Sequence, residues 1–204
     1  MTQQQAIVHV VDDDEDFRES VRWLLESSGL SSRLYASGAE FLAAVDCGSV
    51  GCLVTDMRMP GMSGLELQRA LDREDFTLPI LVMTAHGDVD TAVQAMKSGA
   101  VEFIQKPFKD QAFLDMINAV IEQSYREAET RHAMVDARNR LFSLSARERE
   151  VLDLIVEGKT NKATAAALDV SGKTVEAHRA SIMQKLGANS LANLVKIVLT
   201  ARAG

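Results

Sequence analysis

The strongest constraint on the fold is a fivefold alternation in the first 123 residues, in which short apolar runs rich in β-formers are followed by segments of helical spacing. Ile7–Val11, Leu53–Thr55, Pro79–Thr84 and Val101–Ile104 read as strands, with another near Ser32–Tyr35. Asp16–Ser28, Ser37–Val45, Gly64–Leu71, Val89–Ser98 and Gln111–Gln123 read as the intervening and following helices. Parallel strands need crossover helices, so βα units in series predict a doubly wound parallel sheet. The run Ile80-Leu81-Val82-Met83 is apolar at every position, as suits a strand buried on both faces.

The second half follows a different pattern. Between Asn118 and Arg140 there is neither Gly nor Pro, and Glu122 with Arg126, Glu127 with Arg131, and Asp136 with Arg140 are i,i+4 pairs with the acid first. A long exposed helix is expected there. Ile121, Ala128, Val135 and Phe142 recur every seven residues, but Ser124, Arg131 and Arg138 make the rest of the seam polar. That favours a solvated linker helix over a coiled coil. Beyond it, Ser145–Glu157, Asn161–Leu168, Gly172–Leu186 and Ser190–Thr200 read as four short helices, punctuated by Gly158, Val170-Ser171 and Gly187. The expected division is residues 1–123, a helical linker over 124–140, and a small all-α domain over 141–204.

Charge divides along the same lines. The net charge of −7 comprises 20 acidic against 9 basic side chains over residues 1–124, but 6 acidic against 9 basic over 141–204. The mildly basic half is therefore the candidate for a nucleic-acid partner. No apolar run approaches the roughly 20 residues of a membrane span, and Met1–Gln5 lacks the basic start and apolar stretch of a secretion signal. A cytoplasmic protein without membrane contact is expected. Cys47 and Cys52 fit neither a disulfide framework nor a zinc site and read as packing residues.

In a doubly wound sheet, ligands bind beyond the carboxyl ends of the strands. Those ends carry Asp12-Asp13, Asp56, Thr84 and Lys106-Pro107. Taken singly, each has an ordinary explanation: Asp12–Asp16 as a helix start, a lone Asp after a strand, Lys-Pro as a turn. Their joint occurrence in strand order is what points to a site. Crowded carboxylates favour a cation, and an all-oxygen donor set suits Mg2+. The chemistry that fits is phosphoryl transfer to a carboxylate, with Asp56 as nucleophile, Thr84 bonding a phosphoryl oxygen and Lys106 neutralising charge.

Val10-Val11-Asp12-Asp13-Asp14, Thr55–Gly64, Met83-Thr84-Ala85-His86-Gly87 and Phe103-Ile104-Gln105-Lys106-Pro107-Phe108 resemble the receiver-domain signature of two-component response regulators. The resemblance implies a flavodoxin-like receiver with Asp56 as phosphoacceptor. It implies Mg2+ held by Asp12, Asp13, Asp56 and the Arg58 carbonyl, and phosphoryl contacts from Thr84 and Lys106. It further implies a cis Lys106-Pro107 bond, a switch pair of Thr84 and Phe103 with the aromatic ring buried in the signalled state, a sensor histidine kinase as phosphoryl donor, and phosphorylation-dependent homodimerisation through Val93 and Lys97.

In the second half, Asn161–Leu168, the turn Asp169-Val170-Ser171 and Gly172–Leu186 have the proportions of a helix-turn-helix, with Ser171 as N-cap. Val175, Ile182 and Leu186 share one face. Lys173, Glu176, Ala177, Arg179, Ala180 and Lys185 are expected on the other. Ser143–Leu152, Gly158–Lys162 and Ser171–Arg179 resemble the LuxR-type domain, and the two-domain order resembles the FixJ/NarL group of transcription factors. This implies double-stranded promoter DNA and RNA polymerase as partners. Arg179 and Glu176 are expected nearest the bases, Lys162, Lys173 and Lys185 nearest the backbone, with Thr174 and Ala177 beside them. Ala163-Thr164-Ala165 departs from the family's usual Glu/Gln-Ile-Ala and should loosen that helix. His178 reads as structural, since no other ligand lies at useful spacing. The expected protein is a regulator rather than a turnover enzyme. The competing readings are a phosphorelay or phosphatase-like protein, against which the complete helix-turn-helix weighs, and a phosphate-independent regulator, against which the five filled site positions weigh.

Overall fold

The computed structural model describes residues 5–45, 49–73, 76–85 and 89–203. Cys47 and His86 lie outside the described residues. Two compact units divide at Ala128 and Glu129.

The first unit alternates β1 (Ile7–Val11), α1 (Glu15–Ser27), β2 (Ser31–Tyr35), α2 (Gly38–Ala44), β3 (Gly51–Asp56), α3 (Gly64–Arg73), β4 (Ile80–Thr84), α4 (Val89–Lys97), β5 (Glu102–Gln105) and the start of α5 (Asp110–Phe142). The strands form one parallel sheet in the order β2-β1-β3-β4-β5. The doubly wound expectation is met, with the reversal of strand order falling between β1 and β3.

Successive residues of a strand point to opposite faces, and this explains the continuous apolar runs. Val8 and Val10, Cys52 and Val54, and Leu81 and Met83 pack with Val21 and Leu25 of α1 and Phe113 and Ile117 of α5. Val11, Leu53, Ile80 and Val82 pack with Phe41, Leu67, Leu71 and Ala95 from α2, α3 and α4. Cys52 is fully buried, and burial pushes its thiol up to about 12, as befits a packing residue. Gly51 opens β3 at φ 141°, where a Cβ would lie 1.9 Å from the Ile7 carbonyl oxygen, so only glycine fits.

The expected last helix of the first domain and the linker helix form one continuous element, the 33-residue α5. Glu122–Arg126 and Asp136–Arg140 pair at 2.9 and 2.8 Å. The heptad seam changes character along the helix: Ile121 is buried, whereas Val135 and Phe142 are exposed.

The second unit contains the end of α5 together with α6 (Ala146–Val156), α7 (Asn161–Ala167), α8 (Gly172–Leu186) and α9 (Leu191–Arg202). A hydroxyl caps each of the four later helices: Ser145, Thr160, Ser171 and Ser190 accept from backbone N–H groups three residues on. Gly187 closes α8 in the left-handed conformation at φ 65°. Val151, Leu152 and Ile155 meet Val175, Ile182 and Leu186 and then Leu194 and Val198 in one core. Burying each side chain of this kind contributes about 1.5–3 kcal/mol relative to exposure. Among the described residues no helix is long and apolar enough to cross a membrane.

Candidate functional site

At the carboxyl edge of the sheet, the ends of β1 and β3 bring Asp12 and Asp56 to the point where strand order reverses. Lys106, following β5, joins them. Its Nζ donates to Asp12 Oδ2 at 2.5 Å and to Asp56 Oδ1 at 2.8 Å. The remaining oxygens are held by backbone: Asp14 N–H donates to Asp12 Oδ1 at 2.9 Å, and Arg58 N–H to Asp56 Oδ2 at 2.7 Å. Thr84 is buried at the end of β4, and its carbonyl accepts from the Lys106 N–H at 2.7 Å. The Lys106-Pro107 bond is cis, as the resemblance implied.

Backbone packing fixes Asp56 from below. Gly64, the first residue of α3, sits so close that a Cβ there would lie 2.4 Å from the Asp56 carbonyl oxygen. Two contacts at this edge had no local sequence signal. Arg18 donates to the Asp12 carbonyl at 2.6 Å, and the Lys106 ammonium stands 3.8 Å from the centre of the Phe17 ring.

Burial lifts the Asp12 carboxyl above the usual range, outweighing the hydrogen bond from Lys106. Burial alone would lower Lys106, but its hydrogen bonds to the Asp12 and Asp56 carboxylates outweigh it and raise that pKa. The edge thus holds a dry carboxylate that gains from further positive charge. Asp13 is exposed, and among the described residues no three acidic, His or Cys side chains are grouped closely enough to enclose a metal. An ammonium, rather than a third carboxylate, is packed against Asp12 and Asp56.

Phe103 is half-buried against the α2–α4 side of the core rather than sealed within it, and Val93 and Lys97 are exposed on α4 beside Met96.

In the second unit, Val175, Ile182 and Leu186 are fully buried, as their spacing required. Lys162, Lys173, Glu176, Ala177 and Ala180 are exposed, while Arg179 and His178 are half-buried. Thr174 is tied into the α8 cap, its hydroxyl 2.8 Å from that of Ser171. The Lys185 ammonium binds Glu148 Oε2 at 2.8 Å and so ties α8 to α6, while its side chain remains 40% exposed. Glu148 is buried and also accepts from Ser181 and from the Ser145 N–H, both at 2.7 Å. Lys185 foremost, then Ser181 and Ser145, lower its pKa to about 2. Ser145 and Glu148 form a capping box, a local pattern within one helix start, which the contacts of Glu148 extend to α8.

A parallel sheet with an acid–lysine edge, followed by a capped helix-turn-helix, defines a response regulator with a DNA-binding output. The response regulator receiver domain matches residues 8–118, and the luxR family of bacterial regulatory proteins matches residues 142–198. The chain belongs to the FixJ-like transcription regulators of two-component systems. It is 42% identical to the transcriptional regulatory protein FixJ of Bradyrhizobium diazoefficiens over 194 residues, covering 95% of each chain. It is 45% identical to FixJ of Rhizobium meliloti over 198 residues, covering 97% of each. Among solved structures, response regulator StyR matches with TM-score 0.87 and 43% identity over 95% of this chain and 98% of that one. Full-length FixJ from B. japonicum matches with TM-score 0.58 and 38% identity over 99% and 100%. The receiver domain implies a sensor kinase as partner, and the luxR-type domain implies DNA.

Proposed function

We propose that Asp56 accepts a phosphoryl group from a sensor histidine kinase, and that the phosphorylated chain dimerises and binds promoter DNA to regulate transcription in the cytoplasm. The observation that carries this reading is the Lys106 ammonium bridging Asp12 and Asp56 at the reversal of strand order. An Asp56 carboxylate oxygen attacks phosphorus as the bond to the donor imidazole breaks. A carboxylate nucleophile attacks without the help of a general base. Lys106 neutralises charge on the phosphoryl oxygens, and the Thr84 hydroxyl bonds one of them.

Asp12 and Asp56 converge at the sheet edge with the Arg58 backbone beside Asp56, an all-oxygen set that would hold Mg2+ through Asp12, Asp13, Asp56 and the Arg58 carbonyl once the exposed Asp13 side chain turns inward. When bound, the ion supplies further charge neutralisation to the phosphoryl group. A phosphoryl group adds up to about two negative charges, drawing Thr84 inward and leaving room for half-buried Phe103 to follow. Val93 and Lys97 on α4 then form the dimer surface.

The working division is a receiver over residues 1–123, a helical linker over 124–140 and a DNA-binding domain over 141–204, the last contacting RNA polymerase at promoters. Arg179 and Glu176 read bases, Lys162, Lys173 and Lys185 hold phosphates, and Thr174 and Ala177 line the approach. Gel-shift titration with and without acetyl phosphate, alongside sedimentation, tests the coupling. Phosphorylation should raise both dimer mass and DNA affinity. A monomer with unchanged affinity would refute it.

A further inference from the structure

The proposed function lays α8 in a DNA groove, and on that footing the makeup of its outward face decides which bases it can read. Val175, Ile182 and Leu186 mark the core side of the helix, and all three are fully buried. At about 100° per residue, Glu176, Ala177 and Ala180 lie about 100°, 200° and 140° round from them, and all are exposed. Arg179 lies only about 40° from the core side, which is why it is half-buried. Beyond Lys173 at the helix start, the N-terminal part of α8 therefore turns one carboxylate and two methyl groups away from the protein. Glu176 makes no ion pair or side-chain hydrogen bond among the described residues, whereas Glu148, Glu150 and Asp153 of the same unit each hold a cation.

We propose that this face reads pyrimidines: Glu176 accepts from the N4 amino group of a cytosine, and the methyls of Ala177 and Ala180 pack on the 5-methyl groups of neighbouring thymines. A carboxylate offers acceptors only, and phosphates repel it. On a DNA-facing helix it therefore gains only from a donor on a base edge. In the major groove those donors are the amino groups of cytosine and adenine. Adenine places its N7 acceptor beside the amino group and guanine presents two acceptors, so both oppose a carboxylate. Cytosine offers the donor with no acceptor on the same base. The alanines have no group with which to bond a purine edge, and their methyls match the apolar C5 methyl that thymine alone displays. Glu176 and Ala180 stand about 6 Å apart along the helix axis, within reach of about three successive base pairs at roughly 3.4 Å each. The N-terminal part of a recognition helix is the part that meets base edges, and Gln184, also exposed, lies in the last turn.

The probe is a duplex library randomised over about two helical turns, roughly 20 base pairs, selected on the full-length chain after treatment with acetyl phosphate. Wild type should enrich sites in which a C·G pair lies within about three base pairs of T·A pairs. Glu176→Gln keeps the size of the side chain and adds a donor, so it should move the C·G preference to A·T, where an amide matches N6 and N7. A folding defect produces no such exchange. On the selected duplex, Glu176→Ala should cut discrimination between C·G and the other pairs about tenfold. Uracil in place of the selected thymines should weaken wild type about threefold, the worth of a buried methyl. Replacing the guanine opposite the cytosine with 7-deazaguanine, which lacks the N7 acceptor, should leave wild-type affinity unchanged. The pyrimidine reading alone is overturned by an enriched site whose C·G preference survives Glu176→Ala, by a 7-deazaguanine loss as large as that of Glu176→Ala, or by indifference to uracil. Absence of any enriched sequence overturns it together with the placement of α8 on which it rests.

Discussion

Replacing Glu148 with Gln keeps the size of the side chain and removes the charge on which α6 and α8 converge. The buried carboxylate accepts from Ser145, Ser181 and Lys185 at 2.7, 2.7 and 2.8 Å. A hydrogen bond to a charged group is worth about 1.5–3 kcal/mol, but the Lys185 side chain is 40% exposed, which reduces its share to about 1 kcal/mol or less. The cap contributes about 1 kcal/mol, of which Gln retains part. The amide also turns an N–H2 group toward donors. The expected loss is about 2 kcal/mol, or roughly 10 °C in the transition of a unit this small. Calorimetry of the full chain measures it, with hydrogen exchange of α6 and α8 peptides locating the loss. Because the folded pKa is depressed from 4.5 to about 2, the wild-type advantage is full above pH 4.5 and disappears as pH falls toward 2. A Glu148→Gln chain within about 0.5 kcal/mol of wild type at pH 7, or a difference that persists undiminished at pH 2, would refute the reasoning.

Three further perturbations address other parts of the molecule. His9 is buried against Tyr35, with its pKa lowered from 6.5 to about 4 by burial and then by Arg33. Its neutral form is the one that folds, so the first unit should lose up to about 3 kcal/mol as pH falls from 6.5 to 4, and His9→Phe should flatten that slope in urea titrations. Thr164 is fully buried in α7, and its hydroxyl has no hydrogen-bond partner among the described residues. Thr164→Val should therefore stabilise the second unit by about 1 kcal/mol; destabilisation in denaturant would show that the hydroxyl has a role. Gly64→Ala should force the Asp56 carbonyl aside and slow phosphoryl acceptance about tenfold or more, measured by phosphate incorporation at equal folded fraction; an unchanged rate would count against backbone positioning of Asp56 by α3.

Legibility from sequence followed the reach of the interactions involved. Strands β1, β3 and β4 lie inside the sheet and are buried on both faces, so their apolar runs announce them. β2 is an edge strand with one fully buried residue, Tyr35, and its Ser-Ser-Arg start blurs the signal. Asp12, Asp56, Thr84 and Lys106 could be assembled on paper because parallel strands present their carboxyl ends together. Contacts between elements distant in the chain left no such trace. A helical wheel places Lys185 on the outward face of α8, yet Glu148, 37 residues earlier, captures it. Asp13 shares the sequence motif of Asp12 but remains exposed, because register decides which of two adjacent carboxylates enters the sheet edge.

In the proposed function, modification of Asp56 is what turns on DNA binding. Intact mass and peptide mapping after treatment with acetyl phosphate and Mg2+, run alongside operator affinity on the same samples, test this directly. Wild type should gain one phosphoryl group on the peptide containing Asp56 and bind operator more tightly, while Asp56→Asn should do neither. A full-strength adduct on Asp56→Asn, or equal operator affinity for phosphorylated and unphosphorylated wild type, would contradict it.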